Sequence, residues 1–359
     1  MPVPEWVPIR DDLRAYEPYG APQIPDVINL NVNENPYGPS PQVAADIAEA
    51  VRQVASGLNR YPDREATALR GALASYLGHG LTADQVWAAN GSNEVMLHVL
   101  QAFGGPGRTA LSFAPTYSMY PEYARDTHTE WVTGRRDDDF GIEVEKAVAL
   151  VQEVRPDVVI LTSPNNPTGT ALPLSTVRTV LDVAPGVVVV DEAYGEFRRD
   201  GTPSAVELLE GHPRLLVSRT MSKAFALAGG RLGYVAADSG IIDALRIVRL
   251  PYHLSAVTQA VALAALRHSD ELLARVDELR RTRDELSTWL QAQGFTVAES
   301  DANFVLFGLF DDRHAVWQGL VDRGVLIRET GPDGWLRVSV GTPVEMELFY
   351  QALLEVVAR

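Results

Sequence analysis

Apolar positions recur with two spacings along this chain. Val43, Ile47, Ala50, Val51 and Val54 come every three or four residues, which predicts a helix over 41–56. A second helical pattern begins after the loop LNRYPDREA and runs through Leu77. Short apolar or β-branched runs then appear at 85–89, 109–113, 157–162, 187–190, 215–218 and 232–236. Helical patterns separate most of them, at 93–103, 142–154 and 175–183. Runs this short and this continuously apolar predict strands covered on both faces, and their alternation with helices predicts an α/β fold with a mostly parallel sheet. Beyond about Leu254 the pattern changes. Helices are expected at 257–267, 270–293, 314–323 and 343–357, with strands at 296–298, 303–309, 325–328 and 336–340. The chain thus divides into an irregular Pro-, Asn- and Tyr-rich arm over 1–40, a large α/β domain over 41–254 and a smaller α+β domain over 255–359.

Composition narrows the partners. The chain has 359 residues, 46% of them hydrophobic, enough for a sizeable core. Its formal net charge is −16, which argues against nucleic acid and makes a local cluster of arginines a candidate anion site. There are no cysteines, and the seven histidines show no metal-ligand spacing, so no metal is expected. The N-terminus lacks a signal-like apolar core and no window suits a membrane span, so a cytoplasmic protein with no membrane partner is expected.

In doubly wound sheets ligands gather at the carboxyl ends of the strands, so the residues just past each run are the ones to weigh. After 85–89 comes Asn90-Gly91-Ser92-Asn93, opening a helix: either an anion-binding turn or a plain N-cap at Ser92. After 109–113 comes Tyr117, in APTYSMY, and after 157–162 comes the rigid turn SPNNPTG with Asn166. After 187–190 come Asp191 and Tyr194, costly to bury without partners. After 215–218 comes SRTMSKAFALAGGRLG, with Ser222, Lys223 and Arg231. Lys223 is either a solvated surface lysine or an amine whose pKa is lowered by burial and by Arg219 and Arg231. Pyridoxal 5'-phosphate is the cofactor that asks for this whole set: a lysine, a carboxylate for its ring nitrogen, donors for its ring oxygen, an aromatic face and an anion cradle.

The motifs LNVNENPYGPS, NRYPDREA, AANGSNE, SPNNPTG, VVDEAYGEF, SRTMSKAFALAGGRLGY and SDANFVLF together resemble the fold-type I pyridoxal-phosphate-dependent aminotransferases, and within them the histidinol-phosphate aminotransferases of the actinobacterial kind. The resemblance spans nearly the whole chain and implies a large domain with a mostly parallel seven-stranded sheet and a smaller α+β domain. It implies that Lys223 carries the cofactor and moves a proton, that Asp191 pairs with the ring nitrogen, and that Tyr194 and Asn166 hold the ring oxygen. Tyr117 would stack on the ring. Gly91, Ser92, Asn93, Ser222 and Arg231 would hold the phosphate, with Tyr61 lent by the neighbouring subunit of a homodimer. This chain reads Gly-Ser-Asn-Glu where the family often has Gly-Ala-Asp-Glu, which keeps the backbone donors and puts the side-chain contact in question.

For substrate, the resemblance brings Arg328 and Arg337 over the cofactor, with Tyr19 of the arm beside them, and gives Asn33, Glu34, Tyr37 and His253 as candidates at the imidazole end. Paired arginines suit both a phosphate and the carboxylates of glutamate. The implied reaction is transamination of L-histidinol phosphate with 2-oxoglutarate. An aromatic amino-acid aminotransferase, a decarboxylase of the same fold and a non-catalytic cofactor-binding regulator domain are the alternatives. Arg219 has no assigned partner at this point and is expected only to raise the local potential.

Overall fold

The computed structural model of the chain describes residues 3–18 and 20–358. Its strands are β1 (Ile28–Asn29), β2 (Val86–Ala89), β3 (Thr109–Ala114), β4 (Glu130–Arg135), β5 (Val158–Thr162), β6 (Val187–Asp191), β7 (Leu215–Thr220) and β8 (Gly233–Ala237), then β9 (Thr296–Val297), β10 (Phe304–Gly308), β11 (Val325–Leu326), β12 (Arg328–Glu329) and β13 (Leu336–Ser339). Seven of them form one sheet in the order β2-β8-β7-β6-β5-β3-β4. All neighbours in it are parallel except the two pairings of β8, which runs against β2 and β7.

The central strands are buried along their full length, their apolar runs of valine, isoleucine and leucine first and the polar residues at their carboxyl ends with them. Alternation sorts their side chains into two cores. Val187 and Val189 of β6 and Leu216 of β7 pack with the helices Ser92–Phe103 and Met119–Asp126. Val188 and Val190 of β6 and Leu215 and Val217 of β7 pack with the helices Val144–Val154 and Leu174–Val183 on the opposite face. The same alternation fixes which way the polar residues at the strand ends point.

The second sheet is antiparallel, in the order β12-β13-β10-β9. The N-terminal segment joins this side of the molecule: β1 pairs in parallel with β11, Ile28 opposite Val325. Leu30 continues the pairing, donating its N–H to Leu326 O at 2.8 Å and accepting from Ser339 N at 2.9 Å.

Several elements differ from the sequence pattern. Strand β4 is an edge strand, half-exposed and polar (EWVTGR), so it lacks the apolar run that marked its neighbours. The helix Met119–Asp126 was hidden by its tyrosines and charges, and Ser239–Val248 by its closeness to β8. The single run over 325–328 divides at Ile327 into β11 and β12, which pair with different strands.

Candidate active site

A cavity of about 310 Å³ opens at the carboxyl ends of β5, β6 and β7 and is roofed by the N-terminal segment and β12–β13. Chain order has little to do with membership: Asn33, Ser92, Tyr117, Asn166, Asp191, Lys223 and Arg337 all line it.

Lys223 sits just past β7 in a tight turn and donates from Nζ to Val32 O at 2.9 Å. Burial first, then the Arg337 and Arg231 guanidiniums, bring its amine down to about 8, against the opposing pull of Glu34. The expectation of a depressed amine is met, but Arg219 is not among its causes. That residue points to the other face of the sheet. It is buried and ion-paired to Glu192 (2.7 Å) and Glu196 (2.8 Å), and bonded to Ser204 Oγ (3.0 Å). The expectation that Arg219 merely raises the local potential is corrected: it is committed to its own carboxylates.

Asp191 ends β6 on the cavity side and is 5% exposed. Its Oδ2 accepts from Tyr120 Oη at 2.7 Å and its Oδ1 from Ala193 N at 3.1 Å. Burial pushes the carboxyl up to about 6, while those two donors and a nearby Glu192 pull in opposite senses. Tyr194 Oη accepts from Asn33 Nδ2 at 2.9 Å, and its ring meets Phe304 edge-on at 5.0 Å.

Gly91 precedes the helix Ser92–Phe103 with φ +86°, and no side chain caps that helix. The backbone requires glycine at this φ, and a Cβ at Gly91 would lie 2.6 Å from Arg231 Nη2 and push the guanidinium aside. Across the same turn, a Cβ at Gly233 would fall 2.1 Å from Ser92 N. Ser222 accepts from Thr220 Oγ1 at 3.0 Å, and Arg231 donates to Ala228 O at 2.9 Å. Uncapped amides, a hydroxyl and a guanidinium converge on one corner of the cavity, an arrangement whose chemistry suits an anion. Tyr117 forms the neighbouring wall, its hydroxyl 3.5 Å from Asn93 Oδ1 and its ring edge-on to Tyr120.

On the roof, Arg337 bonds Asn166 Oδ1 through Nη1 and Asn31 O through Nη2 at 2.7 Å, with its guanidinium 5.0 Å over the Phe304 ring. Arg328 also lines the cavity. Asn33 is locked at φ +57° by Ser339, which accepts from its N–H and donates to its Oδ1, each at 2.9 Å. Glu34 lines the cavity, whereas Tyr37 does not: its hydroxyl donates to Glu278 at 2.7 Å. His253 is a further correction. It stacks on Trp87 and bonds Ala88 O at 2.9 Å through Nε2, behind β2. Tyr61 is 78% exposed, stacked on Tyr252 at 4.3 Å, away from this chain's own cavity. Tyr19 lies outside the described residues.

The sequence reading missed Tyr120, Thr162, Asn31 and Thr330, all of which line the cavity. Only Tyr120 left a signal: it falls three residues after Tyr117 in TYSMY, nearly one helical turn on.

An α/β sheet with a depressed lysine, a buried carboxylate and an anion cradle at its strand ends defines a class of protein that handles a phosphorylated cofactor. The model of the family described as aminotransferase class I and II matches residues 25–353. The chain is 64% identical to the histidinol-phosphate aminotransferase of Thermobifida fusca (strain YX) over 98% of its own length and 96% of the relative's. It is 57% identical to the histidinol-phosphate aminotransferase of Paenarthrobacter aurescens (strain TC1) over 97% and 94%. Its fold is similar to the crystal structure of the Sinorhizobium meliloti histidinol-phosphate aminotransferase in complex with pyridoxal-5'-phosphate, with TM-score 0.83, 27% identity, and 92% and 90% of the two chains covered. The chain belongs to the class I and II aminotransferases and, within them, to the histidinol-phosphate aminotransferase family.

Proposed function

We propose that the protein transfers the amino group of L-histidinol phosphate to 2-oxoglutarate in histidine biosynthesis, giving imidazole acetol phosphate and L-glutamate, with pyridoxal 5'-phosphate as cofactor. The observation that carries this is the placement of Lys223 and Asp191 in one cavity, opposite the Gly91–Arg231 cradle. The residues fit the cofactor. Gly91 leaves room that any Cβ would fill, the helix behind it keeps its first amides uncapped, and Asp191 keeps a buried carboxyl at the cavity wall.

When bound, pyridoxal phosphate supplies an aldehyde for the amino group and a ring that draws electrons from the reacting carbon. In this reading Gly91, Ser92, Asn93, Ser222 and Arg231 bind the phosphate by amides, hydroxyl and guanidinium. Asp191 holds a proton on the ring nitrogen by ion pairing. Tyr194 and Asn166 hold the ring oxygen, and Tyr117 covers the ring. An amine brought down to about 8 leaves Lys223 in part unprotonated near neutral pH, able to bind an aldehyde and to take and return a proton. Arg328 and Arg337 grip the phosphate of one substrate and a carboxylate of the other, with Asn33 on the same cavity; Tyr19 is assigned to the substrate by the family resemblance alone. The opened grip of Arg337 would replace its present bonds to Asn166 and Asn31 O.

The same proposal includes a homodimer in which Tyr61 completes the partner's phosphate site. Support comes from an exposed apolar patch: Leu58, Tyr61, Ile247, Leu250 and Tyr252 are all 40% exposed or more. The Tyr61–Tyr252 stack and the bond from Arg249 to Arg64 O bring its two segments together. We place the enzyme in the cytoplasm, where phosphorylated metabolites are held; among the described residues no helix is long and apolar enough to cross a membrane. The division into an arm (1–40), a large domain (41–254) and a small domain (255–359) is part of the same reading, supported by the separate sheets.

The test is a substrate screen with histidinol phosphate, phenylalanine and tyrosine, each with 2-oxoglutarate. A preference for histidinol phosphate is expected, and a preference for phenylalanine would replace the substrate assignment with the aromatic one. Light scattering gives the oligomeric state; a monomer would remove Tyr61 from the site.

A further inference from the structure

Behind Asp191 runs a line of hydroxyl groups that the proposed reaction does not by itself require. Tyr120, on the helix Met119–Asp126, is fully buried. Its hydroxyl is 2.7 Å from Asp191 Oδ2 and 2.9 Å from Thr162 Oγ1 at the end of β5. Thr162 Oγ1 is in turn 3.1 Å from Thr116 Oγ1, which donates to Asn165 Oδ1 at 3.2 Å. Asn165 is fixed in orientation because its amide nitrogen donates to Pro115 O (2.9 Å) and Thr168 Oγ1 (2.8 Å).

Proton accounting gives the line a direction. An ionised carboxylate can only accept, so the single phenolic proton of Tyr120 goes to Asp191. The phenol oxygen is then free to accept from Thr162, whose single proton is spent there; Thr116 gives its own to Asn165 and stands beside the line rather than in it. Burial raises the Tyr120 hydroxyl far above its ordinary range, so it remains a donor at any working pH. Polarised hydroxyls aimed at one carboxylate favour its charged form and hold it in one orientation.

We propose that Tyr120, backed by Thr162, is a positioning residue that keeps the Asp191 carboxylate ionised and aimed at the ring nitrogen of the cofactor. The proposal rests on the functional reading above. The other charged and titratable groups around Asp191 are the adjacent Glu192, which disfavours its charge; Arg136, whose Nη2 bonds Thr162 O at 3.1 Å; and Tyr194 and Lys223 on the same cavity. Asp191 takes its hydrogen bonds from Tyr120 and the amide of Ala193.

The test uses the full chain as wild type, Tyr120→Phe and Thr162→Val, with and without pyridoxal phosphate. Phenylalanine keeps the ring that packs edge-on against Tyr117 at 5.5 Å and removes only the hydroxyl. Without cofactor, thermal stability followed against pH reports the titration of Asp191: for wild type the fall in stability begins near 3.8 and levels off around the centre of the folded carboxyl's titration, at about 6. Loss of one charge-directed donor is expected to move that centre up by about one unit in Tyr120→Phe, and by less in Thr162→Val. With cofactor, Tyr120→Phe is expected to retain pyridoxal phosphate about tenfold less tightly and to shift the pH midpoint of its absorption spectrum, since one unit of carboxylate pKa is a factor of ten. A Tyr120→Phe protein that melts lower by the same amount at every pH, with unchanged spectrum and retention, would reduce Tyr120 to a packing residue and overturn the proposal. A shift in Tyr120→Phe with none in Thr162→Val would remove Thr162 from it. If the wild type took up no pyridoxal phosphate, the functional reading would fall, while the cofactor-free titration would still decide the role of Tyr120.

Discussion

Two clusters of buried charge grow from the same strands and end on opposite faces of the sheet. Asp191 and Glu192 are consecutive, as strand alternation requires of residues facing opposite ways, and Arg219 lies four residues before Lys223. On one face Glu192 and Arg219 are 2% and 8% exposed and fully paired, with Glu196, Arg198 and Ser204 completing the network. Arg219 is held even more firmly protonated than usual and Glu192 more firmly ionised, because each charge has the other. On the other face Asp191 meets a phenol and an amide, and Lys223 a backbone carbonyl. Their pKa values move the other way, up to about 6 and down to about 8. Similar residue types at similar depth thus give a structural brace on one side and groups poised to exchange protons and charge on the other. What separates them is whether a counter-ion was supplied.

That contrast is broken most sharply at Lys223. Lys223→Ala is expected to lose on the order of 10⁴-fold or more in kcat, with a melting temperature no lower than wild type, because the amine is charged only at a cost in its site. Steady-state rates and calorimetry check both halves, and normal turnover would overturn the lysine assignment. At Arg219 the loss falls on stability instead. Arg219→Ala leaves Glu196 buried without its guanidinium and Glu192 with Arg198 as its remaining cation, and is expected to cost about 3–5 kcal/mol in denaturant unfolding, while the folded fraction keeps its turnover. An unchanged unfolding midpoint would mean that water replaces the guanidinium.

Asp191→Asn tests the same idea with the opposite sign. The folded carboxyl titrates near 6 against an ordinary 3.8, so the native state binds more protons between those values and stability falls as pH rises through that window. Above pH 6 the asparagine variant escapes a penalty of up to about 3 kcal/mol and is expected to be more stable than wild type without cofactor, yet inactive. The smallest effect is a pH dependence at Lys223. Capture of added pyridoxal phosphate by the cofactor-free enzyme is expected to speed up about tenfold per unit as pH rises toward 8, then level off, because only the neutral amine reacts. Stopped-flow absorbance tracks it, and a plateau already reached at pH 6 would show a lower amine pKa than the burial and its neighbours provide.

Much of this site was legible because strand ends announce themselves: an apolar run stops and Asn166, Asp191 or Lys223 comes next. The order of the strands and the face each residue takes were not written in any short stretch. Arg219 looked like a companion of Lys223 because the two are close in sequence; the alternation of β7 sends it to Glu192 instead. His253 was a substrate candidate by family resemblance, yet the aromatic surface of Trp87 holds it behind β2. Tyr120 was hidden in a helix that polar residues disguised, and its partner is 71 residues away. Strand β4 escaped notice because an edge needs no apolar run.

The ties between the N-terminal segment and β13 carry a consequence for how the protein comes into being. Asn33 bonds Ser339, and Arg337 bonds Asn31 O, each across 306 residues of chain. Lys223 finds its carbonyl at Val32, 191 residues back. Contacts this distant pay their loop-closure entropy before they return anything, so they form late and slowly. On a ribosome residues 28–33 must wait for these partners until β11 and β13 have emerged. The cavity around Lys223 is therefore among the last parts of the molecule to close, and a chain cut short before β13 would have Lys223 and the Gly91–Arg231 corner but no Arg337 over them.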